Sequence, residues 1–201
     1  MRVGGHFERV AAVYESLRTT DEAPVRRIGQ LLPDRPVTGL DVGCGTGTLA
    51  IAAKRQVGPT GTVHGIDASP EMLARAEKKA RKAGVEVVLK NAIAQALPFP
   101  DAQFDVVLTT IMLHHLPRKA RQQCAAEMRR VLKPGGRVLA VDFGLAARAQ
   151  KGLLAHFHRH GSVKLPDMIG LLSEAGLNSV GSGAVGIRDL QFVLAKLPCC
   201  A

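Results

Sequence analysis

Between residues 38 and 143, short apolar runs alternate with stretches whose apolar positions recur at helical spacing. The runs near 38–42, 62–66, 85–90, 104–111 and 136–143 read as strands, and helices are expected near 47–56, 70–83 and 119–132. Two of the strands, Phe104-Asp105-Val106-Val107-Leu108 and Arg137-Val138-Leu139-Ala140-Val141, are nearly continuous apolar runs rather than alternating ones. That pattern fits parallel strands buried on both faces. Further on, a helix near 165–175 stops at Gly176. Ser179–Ile187 and Leu190–Leu197 then read as strands separated only by Arg188-Asp189. So short a link makes an antiparallel hairpin, because a parallel crossover needs a dozen or more residues. Ahead of the first strand, Phe7, Val10, Ala11, Tyr14 and Leu17 have helical spacing, as do Val25, Ile28, Leu31 and Leu32 after Pro24. Residues 1–36 therefore form an expected helical arm or lid, and 37–201 one α/β domain.

The first strand runs into Leu40-Asp41-Val42-Gly43-Cys44-Gly45-Thr46-Gly47 and then into a helix. Glycine lets backbone approach a ligand closely, and the N–H groups at a helix start receive polar or anionic atoms. A dinucleotide loop would need a third glycine where Thr48 stands, and a P-loop would need a lysine after the glycines. Neither is present. The remaining pattern, an acid before three alternating glycines, suits an adenosine ligand with a charged amino-acid tail. Thr62-Val63-His64-Gly65-Ile66-Asp67 is a second short strand ending in an acid, about 20 residues on, where a βαβ unit delivers a carboxylate to a ribose. A carboxylate can accept from both ribose hydroxyls. The other reading of Asp67 is a helix cap. A helix start follows at once, with Ser69 as N-cap, Pro70 at the first position, Glu71 in the first turn and Gly84 as the stop.

Five segments in this order resemble the class I S-adenosylmethionine-dependent methyltransferases. They are Asp41 to Gly47, Asp67-Ala68-Ser69-Pro70-Glu71-Met72-Leu73, Leu97-Pro98-Phe99-Pro100-Asp101 with Phe104-Asp105, Leu113-His114-His115-Leu116, and Leu132-Lys133-Pro134-Gly135-Gly136. The resemblance covers roughly residues 37–143 and is similar to the small-molecule group that includes quinone C-methyltransferases. It implies a Rossmann-like fold: a mostly parallel seven-stranded sheet with an antiparallel C-terminal hairpin strand and helices on both faces. It also implies S-adenosylmethionine as cofactor and S-adenosylhomocysteine as product. Carried over by motif, Gly43, Cys44, Gly45 and Gly47 line the methionine part, with Asp41 supporting its ammonium. Asp67 holds the ribose, Ala68 and Met72 flank the adenine, and Ala92, Ile93, Ala94 and Thr110 complete the cofactor contacts. One position departs from the family. Ile93 stands where an acid usually accepts from the adenine amino group, and Gln95 offers an amide oxygen nearby.

Chemistry is expected after the fourth and fifth strands, since ligands of open α/β sheets bind at strand carboxyl ends. His114 and His115 are the candidate bases or substrate-positioning groups, because histidine titrates near the working pH. Tyr14 and His156 are the expected lid or pocket-wall residues. His156-Phe157-His158-Arg159-His160 has no cysteine or acid to complete a metal site, so no metal is expected.

Bulk numbers narrow the reading further. The 201 residues carry a formal charge of +10, yet the basic clusters fall on separate predicted helices, and aromatic content is only 3% with no tryptophan. Single-strand binders interleave aromatics with charge. The charges read as solvated helix faces, and nucleic acid is not the expected partner. Four cysteines make no disulfide framework, and no terminal apolar run suits a signal peptide or membrane span. The expectation is a cytoplasmic enzyme, monomer or homodimer, that methylates O, N or C of a small molecule. An RNA methyltransferase and a cofactor-binding protein without turnover are the alternatives.

Overall fold

A computed structural model describes residues 37–144, 163–185 and 190–199. The expected arm over 1–36, Tyr14, His156 and the Arg188-Asp189 link lie outside the described residues. The strands make up a seven-stranded, mostly parallel sheet whose C-terminal strands are antiparallel. The chain divides into two compact units, 1–93 and 94–201.

In the first unit the described elements are β1 (Thr38–Val42), α1 (Thr48–Val57), β2 (Thr62–Asp67), α2 (Pro70–Ala83) and β3 (Val88–Asn91). The strands run parallel in the order β3-β2-β1. Leu40, Val42, Val63 and Ile66 are buried in the strands, with Leu49, Ala50, Ala53, Ala76 and Ala80 buried on the helices. α2 begins as the sequence implies: Ser69 Oγ accepts the Met72 N–H at 3.2 Å and Pro70 opens the helix. Its end explains why β3 starts at Val88 rather than 85. Gly84 turns left-handed at φ 65°, and the Val85 N–H still bonds back to Ala80 O at 3.2 Å. Helix termination therefore uses up the residues expected to begin the strand.

The second unit contains β4 (Phe104–Thr110), a 3-10 turn (Leu113–His115), α3 (Arg118–Val131), β5 (Leu132–Phe143), α4 (Leu165–Glu174), β6 (Asn178–Ala184) and β7 (Leu190–Lys196). Every residue of β4 is buried, as its apolar run implies. β4 and β5 are parallel, β5 and β7 antiparallel, and β6 and β7 antiparallel. β5 begins at Leu132, earlier than expected, because Phe104 pairs with Leu132 and the ladder then skips to Val106 and Arg137. The Lys-Pro-Gly-Gly stretch is absorbed into that irregularity. Gly135 sits at φ 77°, and the Gly135 N–H donates to Leu197 O at 3.0 Å. β4 stops one residue early because Ile111 adopts φ 52°. No helix among the described residues is long and apolar enough to cross a membrane.

Candidate cofactor cradle and histidine–aspartate pair

The glycines of the first loop are where the backbone requires them. Gly43, Gly45 and Gly47 have φ of 73°, 53° and 75°, a region that side-chain-bearing residues rarely enter. The loop is tied to β2 by the Gly43 and Cys44 N–H groups, which both donate to Ile66 O at 2.9 and 2.8 Å. The Cys44 side chain packs inward, 3.0 Å from where a Cβ on Gly65 would stand, so the loop backbone is what Cys44 presents. Asp41 lies near the end of β1 and is 1% exposed.

Asp67, at the end of β2, binds both loops together. Its Oδ2 accepts the Gly45 N–H at 2.8 Å, and its Oδ1 accepts the Ser69 N–H at 2.9 Å. Burial pushes the Asp67 carboxyl above its usual pKa, while the N–H groups of Ser69, Gly45 and Ala68 pull the other way. A carboxylate has about four acceptor positions, so with three N–H groups on Asp67 one remains open to a ribose hydroxyl. Met72 is buried at the start of α2, and Ala68 is exposed beside it. Asn91 Nδ2 and the Ala92 N–H both donate to Asp67 O, at 2.9 and 3.2 Å, which sets the chain direction into Ile93. Ile93 itself is 53% exposed, an apolar side chain held at the surface.

These residues fit the group the sequence implies. A Cβ placed on Gly45 meets nothing within 4 Å, so the loop leaves open space there. Thr46 Oγ1 is buried without a hydrogen-bond partner among the described residues. Buried hydroxyls are normally satisfied, so the loop has polar capacity to spare.

The second unit carries Ala94 and Thr110, and the two candidate histidines have unlike surroundings. His114 is 4% exposed, whereas His115 is exposed, with its ring centroid 3.9 Å from that of His114. His114 Nδ1 lies 2.7 Å from Asp142 Oδ1, and the His114 backbone N–H donates to Asp142 Oδ2 at 3.0 Å. Asp142, on β5, is 0% exposed and accepts the Phe143 N–H at 2.8 Å as well. Sequence reasoning missed Asp142. The available signal was an acid inside the apolar run Leu139-Ala140-Val141-Asp142-Phe143, a costly place for a charge unless something pairs with it. The turn that carries the histidines is braced by α3, where Arg121 Nε donates to Leu113 O and Leu116 O, both at 2.8 Å. Ile111, β-branched and left-handed, carries about 1–3 kcal/mol of strain, and its N–H is held by Val141 O at 2.8 Å. Among the described residues no cluster of His, Cys, Asp or Glu could hold a metal ion.

Comparison with known proteins identifies the kind of domain this is. Residues 40–136 match the model of a methyltransferase domain family. A ubiquinone/menaquinone biosynthesis C-methyltransferase of Ralstonia pickettii is 36% identical over 150 residues, 71% of this chain and 60% of that protein. A demethylmenaquinone methyltransferase of Thermus thermophilus is 37% identical over 150 residues, covering 74% of this chain and 65% of that one. The chain thus spans less than two thirds of the length of these relatives. A solved S-adenosylmethionine-dependent methyltransferase from Aquifex aeolicus shares the fold with a TM-score of 0.76 at 22% identity, over 93% of this chain and 98% of that one. The chain carries a class I S-adenosylmethionine-dependent methyltransferase domain and resembles the quinone C-methyltransferases within that family.

Proposed function

We propose that this chain transfers the methyl group of S-adenosylmethionine to oxygen, nitrogen or carbon of a small-molecule acceptor, with quinone-type rings as the acceptor class to test first. The relatives named for quinone biosynthesis support that choice. The observation that carries the reading is the Asp67 clamp, which joins the glycine loop to the start of α2 through Gly45 and Ser69 and keeps acceptor capacity for a ribose. In this reading Asp41, Gly43, Cys44, Gly45, Gly47, Ala68, Met72, Ala92, Ile93, Ala94 and Thr110 contact the cofactor. The bound cofactor supplies a methyl group on a positively charged sulfur. The chain supplies orientation and a site that water leaves, which are the principal requirements of a displacement.

The test is calorimetric titration with S-adenosylhomocysteine. Wild type should bind saturably, and Asp67→Ala should weaken binding at least about tenfold, the loss of charge-assisted hydrogen bonds. The carboxyl must be ionised to accept fully from the ribose, so affinity should fall as pH is lowered through the raised Asp67 pKa, above the ordinary 3.8. The sign for folding is the opposite. A raised carboxyl favours the folded chain below the unfolded pKa, and that contribution is lost as pH rises through the folded one. Affinity that is unchanged by Asp67→Ala and flat with pH would refute the cradle. Transfer of labelled methyl from S-adenosylmethionine to hydroquinone then tests the acceptor class.

A further inference from the structure

Ile93 is one of two large apolar side chains exposed among the described residues, at 53%. A single exposed isoleucine is ordinary, so its neighbours decide what it can do. It follows β3, which lies at the edge in the order β3-β2-β1. Asp67 and Asn91 pair across the carboxyl ends of β2 and β3. Asn91 Nδ2 and the Ala92 N–H both donate to Asp67 O, so the chain leaves β3 pinned beside the acid. Ile93 is the next residue.

Strand order sets the direction of a cofactor held by this unit. Ligands of open α/β sheets lie across the carboxyl ends of the strands. With the amino-acid tail on the glycine loop after β1 and the ribose on Asp67 after β2, the base extends towards β3. Neighbouring strands lie about 4.8 Å apart, so a base joined to that ribose falls over the segment that follows β3. The side chains there are apolar. Ala92 is half-buried and Ile93 exposed, while Ala68 is exposed and Met72 buried where β2 leads into α2. A flat purine wants apolar cover on its faces and polar partners at its edge. These four side chains supply the cover and contain no oxygen or nitrogen to meet an amino group.

We propose that Ile93 covers a face of the cofactor's purine, and that the site does not discriminate at the purine 6-position. This rests on the S-adenosylmethionine reading and deepens it. A site that spends a buried polar group on a ligand N–H rejects analogues that lack the N–H, because the group is then left unpaired. No such side chain stands at 68, 72, 92 or 93. The cofactor class therefore extends to S-adenosyl compounds whose 6-amino group is absent or alkylated. Affinity for the base comes from the apolar area of Ile93 that it removes from water.

The test is calorimetric titration of the full chain with S-adenosylhomocysteine and two analogues of it. One has hydrogen in place of the 6-amino group and the other a 6-dimethylamino group, and both keep ring nitrogen N1 as an acceptor. Wild type should bind all three within about threefold, because no side-chain hydrogen bond is lost. Ile93→Ser removes the apolar cover. It should weaken S-adenosylhomocysteine about fivefold and make the heat-capacity change of binding less negative. Ile93→Asp puts a carboxylate within reach of the amino group. It should raise the preference for S-adenosylhomocysteine over the 6-hydrogen analogue to about tenfold. Position 93 is exposed, so both variants should keep the wild-type unfolding midpoint.

A wild-type preference for S-adenosylhomocysteine of about tenfold or more over the 6-hydrogen analogue would overturn the proposal, since some group then reads the 6-position. So would wild-type affinity and heat-capacity change in Ile93→Ser, or an Ile93→Asp chain as unselective as wild type, since either places residue 93 away from the base. Wild-type protein that binds none of the three compounds would instead remove the S-adenosylmethionine reading, and this proposal with it.

Discussion

Gly45 and Gly47 both have positive φ, yet a methyl group added to each meets different surroundings. At Gly47 the new carbon would lie 2.9 Å from Ala76 Cβ and 3.3 Å from its Cα, whereas at Gly45 it meets nothing within 4 Å. Gly47→Ala should therefore cost about 2–4 kcal/mol in urea unfolding, adding overpacking against α2 to the left-handed backbone. Gly45→Ala should cost only about 1–2 kcal/mol, the backbone term alone, but should weaken S-adenosylhomocysteine binding because its Cβ occupies the space left for the ligand. Equal losses of stability would contradict the loop geometry. The alternating glycines, Asp67 and the Ser69 cap were all legible in the sequence, since each is a local requirement of a turn or helix start. The bridging role of Asp67 was not. Its bond to Gly45 joins residues that only the β1–β2 pairing brings together.

Elements are held by residues far away in sequence. The Leu97-Pro98-Phe99-Pro100-Asp101 motif stands out as a string, but its anchor is Arg130 on α3. That guanidinium donates to Phe99 O at 2.8 Å, Leu97 O at 3.1 Å and Asp101 Oδ1 at 2.7 Å, and grips Glu127 with two more bonds. Glu127 in turn accepts the Leu97 N–H at 2.7 Å, and the Arg130 hydrogen bonds hold its carboxyl below the usual range. A lysine offers a point charge rather than a fork. Arg130→Lys should thus cost about 1–2 kcal/mol in denaturant unfolding and speed hydrogen exchange at Leu97, because that part of the loop is released first. Unchanged exchange at Leu97 would show that the loop holds itself. On α2, Ser69, Pro70 and Gly84 specify both ends locally, whereas the start of β3 depends on how the Gly84 turn closes.

For the whole molecule, a buried thiol tests how cooperatively the second unit holds together. Cys124 on α3 is 0% exposed, and burial first, with Glu127 nearby, pushes its pKa up to about 12. Cys199 is exposed. A thiol reagent near neutral pH should label Cys199 at once and Cys124 only as the unit opens, since the thiolate is the reacting form. Rapid labelling of Cys124 in native buffer would mean that α3 opens locally. The formal charge of +10 stays a property of surfaces. Among the described helices the basic residues sit mostly on exposed or half-buried positions of α2 and α3, as expected of solvated faces.

The sequence by itself determined the βα alternation, the closing antiparallel strands, the glycine loop and the acid at the end of β2. Each of these is written in residues close together, through periodicity, capping and backbone freedom. Tertiary structure alone decided which histidine is buried and which acid it meets. His114 and Asp142 stand on different elements, and no local pattern joins them until β4 and β5 pair in register. It also decided that Ile111 leaves its strand in a left-handed turn, with its N–H held by Val141 O of β5, a contact that a linear string does not show.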